Sequence, residues 1–149
     1  MYAPDPVSHL PDPNTQPGFY ESVPIKRLLA WVIDTGVVLA LIIPVIVLTL
    51  GLSLFVLPMV WLIVSFLYRW ATIASKSSTW GMRMMSIELR DAHGQRLDGG
   101  LAFIHTLGYS LSMAFFIVQV VSIVLMVGSP RGQGVTDMAL GTVMLNRRA

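Results

Sequence analysis

The feature that most constrains this chain is an apolar tract from Leu28 to Tyr68, 41 residues long, whose only charged member is Asp34. As one helix rising 1.5 Å per residue it would measure about 62 Å, roughly twice the ~30 Å hydrocarbon core of a bilayer. The tract therefore folds back once. The turn belongs at Thr49 to Ser53, where Gly51 is the only glycine between Gly36 and Gly81. This predicts a helix over about 24–50, with Pro24 in its first turn and Pro44 bending it. A second helix follows over about 54–73, with Pro58 in its opening turn.

Composition agrees, with 54% hydrophobic and only 12% charged residues. A soluble domain carries about 25% charged residues, so the apolar excess here must face lipid. A further stretch, Gly99 to Pro130, has 32 residues and no formal charge when His105 is neutral. At about 48 Å it is too long for one plain span and too short for two. Either an interfacial half feeds a single crossing, or a bent helical pair returns to its starting side. The expected fold class is an all-α polytopic membrane protein: two full transmembrane helices, this third region, and a small cytoplasmic β-hairpin between the second and third. The hairpin is placed in the polar segment 74–98, around DAHG in MMSIELRDAHGQRL. Residues 1–23, with Pro4, Pro6, Pro11, Pro13 and Pro17, read as a disordered leader without the apolar core of a cleaved signal. Residues 131–149 read as a polar tail.

Positive charges set the orientation. Lys26, Arg27, Arg69, Lys76, Arg83, Arg90 and Arg96 flank one side of the first two helices, and none lies in the turn between them. The amino terminus and the 74–98 loop are therefore expected in the cytoplasm. If the third region doubles back, Arg131, Arg147 and Arg148 join them. Trp31, Trp61, Trp70, Trp80 and Tyr68 suit interface anchors.

Few residues offer chemistry. Asp34 sits mid-helix among Trp, Val, Leu and Ile, where an ionised carboxylate needs a partner. Arg27 shares its helical face, but a rise of about 10.5 Å is too far for an intrahelical ion pair. Partners must come from other segments, and Asp34 reads either as a proton or cation site or as an interhelical hydrogen bond. His105, Ser112 and Gln119 recur at spacing seven, with Tyr109 four after His105. That polar line should face protein, lining a wet path or making packing hydrogen bonds. With no cysteine, nucleotide-binding loop, metal cluster or nucleophile elbow, no cofactor, metal or enzymatic activity is expected. The basic residues are too scattered for nucleic acid.

Three of these residues carry a resemblance. An arginine opening the first helix (Arg27, in PIKRLLAWVIDTG), an aspartate within it (Asp34), and an aspartate in a tail motif (Asp137, in SPRGQGVTDMALGT) resemble the RDD family of bacterial integral membrane proteins. TWGMRMMSIELRDAHG is similar to the family's glycine, basic residue and hydrophobic strand segment. Thr136 stands where His or Gly is expected, and ALGT where AGT is usual. The resemblance implies a multi-pass protein of the bacterial cytoplasmic membrane with a buried Arg27, Asp34 and Asp137 site, for which transport of an unidentified ligand is suggested. A small cation or proton would be moved or sensed there. The alternative is a non-transporting accessory or assembly subunit whose trio is a structural clamp. So small a chain suits a homo-oligomer or a larger membrane complex, with the bilayer as its constant partner. Arg27 and Asp137 are expected to pair at the cytoplasmic boundary.

Overall fold

The structure, a computed structural model, describes residues 9–147. After a 3-10 turn at Pro17–Phe19 the chain runs α1 (Val23–Leu48), α2 (Leu57–Lys76), α3 (Trp80–Met84), β1 (Ile87–Arg90), α4 (Gly99–Ala114), α5 (Phe116–Gly128), α6 (Val135–Leu140) and β2 (Val143–Asn146).

The long apolar tract becomes α1 and α2, both long and apolar enough to cross a membrane. Proline occupies the first turn of each, where a missing N–H costs nothing. Pro44 is carried inside α1 without ending it. The fold-back falls at the expected turn: Leu50 and Gly51 take φ of 53° and 84°, and the Thr49 hydroxyl donates to Ser53 Oγ at 2.9 Å. A 3-10 turn at Leu52–Val56 delays α2 to Leu57. The buried stripe of α1 is Ala30, Asp34, Val38 and Ile42, one residue per turn, and Val38 and Ile42 pack with Tyr68 of α2. The outer faces, including Leu48 and Phe55, are largely exposed apolar surface that lipid would cover.

The third apolar region is broken. α4 and α5 meet at Phe115 with a bend of 115°. With 16 and 13 residues they measure about 24 and 20 Å, short of a ~30 Å core. Both ends of the pair lie at one end of the bundle. Trp70 Nε1 donates to Gly99 O at 3.1 Å where α4 begins, and a Cβ placed on Gly132, just beyond α5, would meet Val23 and Pro24 at the start of α1 at 3.9 Å. Phe115, Phe116 and Ile117 form an exposed apolar tip.

Two expectations need correction. The polar segment 74–98 is not a self-contained hairpin. The DAHG turn forms, with Asp91 Oδ1 accepting from His93 N and Gln95 N, and Gly94 at φ 74°. The chain beyond it does not return as a strand, because Leu97 N donates to Ser77 Oγ and Asp98 caps α4. The partner of β1 is β2 from the tail, antiparallel, with Ile87 opposite Asn146 and Arg90 opposite Val143. Apolar Val143, Met144 and Leu145 gain burial by this pairing. The tail is thus a helix and a strand, and Glu88 holds both Arg90 and Arg147.

The second correction concerns the leader. Tyr20 is buried, its hydroxyl donates to Pro11 O at 2.7 Å, and with Leu10 and Phe19 it packs on Val143 and Leu145. The tail strand supplies an apolar partner absent from the leader itself. Residues 1–8, with Pro4 and Pro6, lie outside the described residues. Beneath the bundle, Val23, Ile73, Ile87, Leu89, Leu97 and Met144 share one core with Ala30 and Met82.

Candidate functional site

The most buried carboxylate among the described residues is Asp137. It occupies the third position of α6, so its carboxylate turns back to accept from Gly134 N at 3.2 Å, a helix-capping contact. The remaining acceptor capacity is used across the fold. Arg27 Nη1 donates to Oδ2 at 2.7 Å, while His105 Nε2 and the Thr142 hydroxyl reach Oδ1 at 2.9 and 3.0 Å. Asp137 is only 1% exposed. Burial alone would raise its carboxyl above the ordinary range, but the Arg27 charge and the His105 hydrogen bond outweigh that and hold it well below. An ionised carboxylate only accepts, so His105 carries its proton on Nε2, leaving buried Nδ1 without a partner among the described residues.

Asp34 forms a separate centre. Its Oδ1 accepts from the Tyr68 hydroxyl at 2.7 Å and Gly81 N at 2.8 Å; its Oδ2 accepts from the Thr79 hydroxyl at 2.6 Å. The Thr79 oxygen in turn accepts from Met82 N, capping α3. Asp34 therefore ties α1 to α2 and to the start of α3, and no ion pair joins it to Arg27 among the described residues. Tyr68, expected as an interface anchor, is instead buried and spent on this carboxylate. The contact also explains Gly81: a Cβ there would meet Ala30 O at 2.2 Å and Asp34 Oδ1 at 2.8 Å, so only glycine lets α3 approach α1.

Both centres line one cavity of about 470 Å³. The four polar residues expected to share a helical face also line it, but on two helices. His105, Tyr109 and Ser112 project from α4, and Gln119 comes from α5 beyond the bend, where its Oε1 accepts from the Ser112 hydroxyl at 2.9 Å. The spacing of seven survives because the bend folds α5 back across α4. Gly134 and Gly108 permit the close approach of the tail: added Cβ atoms would meet Ser122 Oγ at 2.4 Å and Thr136 Cγ2 at 2.7 Å.

Arg69 had not been placed in the site. Near the end of the expected second helix it reads as one of the flanking positives, yet the structure sets it in the cavity wall. Its guanidinium lies 3.8 Å above the Tyr109 ring centre. Its setting inside the run FLYRWATIA was the signal available in the sequence. Among the described residues, no three His, Cys, Asp or Glu side chains gather as a metal centre.

The sequence profile of the RDD family matches residues 22–141, most of the chain, and takes in Arg27, Asp34 and Asp137 together. The chain belongs to the RDD family. No curated protein and no solved structure matches it. The RDD match begins at the entry to α1 and stops just before β2, so it encloses both carboxylates and every residue named above as lining the cavity, while the Thr142 donor to Asp137 lies one residue beyond it. In this RDD chain the named trio divides in two, Arg27 with Asp137 and Asp34 with Tyr68, Thr79 and Gly81. Its two long apolar helices are those of a membrane protein.

Proposed function

We propose that this RDD protein is a multi-pass protein of the bacterial cytoplasmic membrane that binds a small ligand among its helices, with Arg27, Asp34 and Asp137 as clamps that build the cavity. The observation that carries this reading is the saturation of both carboxylates. Asp137 accepts from four groups and Asp34 from three, all from the protein itself, and each set joins segments far apart in the chain. What they enclose is a space of ligand size, within the range of ~300–1,000 Å³ common for such sites.

The orientation follows the charge distribution. Lys26, Lys76, Arg83, Arg90, Arg96, Arg131 and Arg147 lie on the segments around the sheet, and the Thr49 to Ser53 turn has no positive charge. The amino terminus and the sheet are therefore cytoplasmic, and the α4–α5 pair enters the membrane and returns. A chain without cysteine makes the test clean. A single cysteine at Gly51 should react with a membrane-impermeant maleimide from outside intact cells, and one at Asn146 only after permeabilisation. Labelling of Asn146→Cys in intact cells would overturn the re-entrant topology.

Binding is tested by native mass spectrometry of the purified protein in mild detergent. A bound mass that disappears when Met113→Trp fills the cavity is expected. No retained mass, together with no thermal stabilisation by any amphiphile, would remove the binding reading. Movement of a small cation or proton is a second reading, favoured by Asp34 and His105 facing the same cavity. Ion flux in proteoliposomes containing this protein alone, present in wild type and absent in Asp34→Asn, would establish it instead.

A further inference from the structure

We propose that the cavity takes an anionic amphiphile, a phosphate or carboxylate on an apolar chain, with the Arg69 guanidinium as its counter-charge. This deepens the binding reading above and rests on it.

Arg69 is 9% exposed. Among the described residues no carboxylate pairs with it, and its buried Nε has no hydrogen-bond partner. A guanidinium nine-tenths withdrawn from water and bonded to no acceptor among the described residues is disfavoured, so such a group stands where something else can reach its terminal nitrogens, which are not sealed off as Nε is. The other charges facing the cavity cannot do so. Arg27 is bound to Asp137, whose oxygens are also held by His105, Thr142 and Gly134. Asp34 is engaged by Tyr68, Thr79 and Gly81. Stacking on Tyr109 occupies one face of the guanidinium and leaves its terminal N–H groups for a planar or tetrahedral oxyanion. Gln119 adds a second donor, because its carbonyl is taken by Ser112 and its amide N–H groups are unspent among the described residues.

The rest of the wall selects the remainder of the ligand. Leu28 and Trp31 of α1, Met113 of α4 and Ile123 of α5 line the same space, and all four keep a large part of their apolar surface exposed. A bare inorganic anion would leave this apolar wall unfilled, and a cation would be repelled by Arg69. An alkyl chain entering from the bilayer satisfies both ends.

The test uses the full-length protein in a neutral maltoside detergent, titrated with dodecyl phosphate, dodecanol and dodecyltrimethylammonium, with binding read by calorimetry. Wild type should prefer dodecyl phosphate to dodecanol by about tenfold or more, the size expected of one charge-assisted hydrogen bond. It should disfavour the ammonium compound. Arg69→Gln should lose the preference while still binding dodecanol, and Arg69→Lys should keep part of it. Equal binding of phosphate and alcohol by wild type would overturn the charge assignment even if no variant folds. Binding of none of the three would overturn the cavity reading itself. Two further arms separate the sources. Phosphatidylglycerol retained in nanodiscs by wild type but not by Arg69→Gln identifies a membrane lipid, whereas dodecanoate binding without lipid retention identifies a free amphiphile. Tight binding of inorganic phosphate alone, unimproved by the alkyl chain, would overturn the amphiphile class.

Discussion

Arg27 and Asp137 are 110 positions apart in the chain and 2.7 Å apart in space, the guanidinium from the first turns of α1 and the carboxylate from a six-residue helix in the tail. Their side chains are 13% and 1% exposed, so this is a buried pair, in which removing one partner strands the other. Arg27→Ala or Asp137→Ala should each lower unfolding stability by about 3–5 kcal/mol. The double replacement should cost less than the sum by at least about 1 kcal/mol. Thermal unfolding of the three variants in one detergent measures this, and additive losses would show that the two groups are not coupled.

Acid should act through the same carboxyl. Asp137 is held below its ordinary value of 3.8, so it contributes stability that is present above that value. The contribution is lost as pH falls through the lowered one. Wild type should lose melting temperature on going below about pH 4. Asp137→Asn should be less stable at neutral pH and show a flatter acid limb. Parallel curves for the two proteins would locate the acid sensitivity elsewhere.

Replacements at Asp34 should separate shape from charge. Asparagine can keep the oxygen that accepts from Tyr68 and Gly81, so Asp34→Asn should cost no more than about 1–2 kcal/mol. Asp34→Ala leaves three buried donors without an acceptor and should cost several times more. Melting temperatures for both variants decide the point. An alanine variant as stable as the asparagine one would remove the clamp role.

Glycine positions offer a paired control. Gly81→Ala places a Cβ 2.2 Å from Ala30 O, against backbone that cannot rotate away, and should destabilise by about 1–3 kcal/mol or more. Gly36→Ala meets nothing within 4 Å and should be neutral or stabilising by up to about 1 kcal/mol. Comparing the two by unfolding tests whether α3 approaches α1 as described.

The apolar tract, its fold-back at Thr49 to Ser53 and the ambiguity of the third region were legible in the sequence because they depend on local quantities: hydropathy, helix rise and turn residues. The same holds for the need of Asp34 for partners on other segments, and the Arg27–Asp137 pair followed from a return of the tail to the boundary where Arg27 opens the first helix. The pairing of β1 was not legible. MMSIELRDAHG contains a real turn, and only the competing claim of Ser77 and Asp98 on the following residues frees the strand edge for the tail. Tyr20 was hidden for the same reason, since its partners Val143 and Leu145 lie at the other end of the chain.

By itself the sequence determined that this chain carries two long helices apolar enough to cross a membrane, because so few charged residues could not cover them in water. It also determined which charges would be costly there. Only the tertiary structure decided how those charges are met. It gave Asp137 to Arg27 and His105, Asp34 to Tyr68, Thr79 and Gly81, and left Arg69 on the cavity wall with no acceptor among the described residues. Hydropathy is a property of segments, whereas the partner of a buried charge depends on which distant segments pack against it.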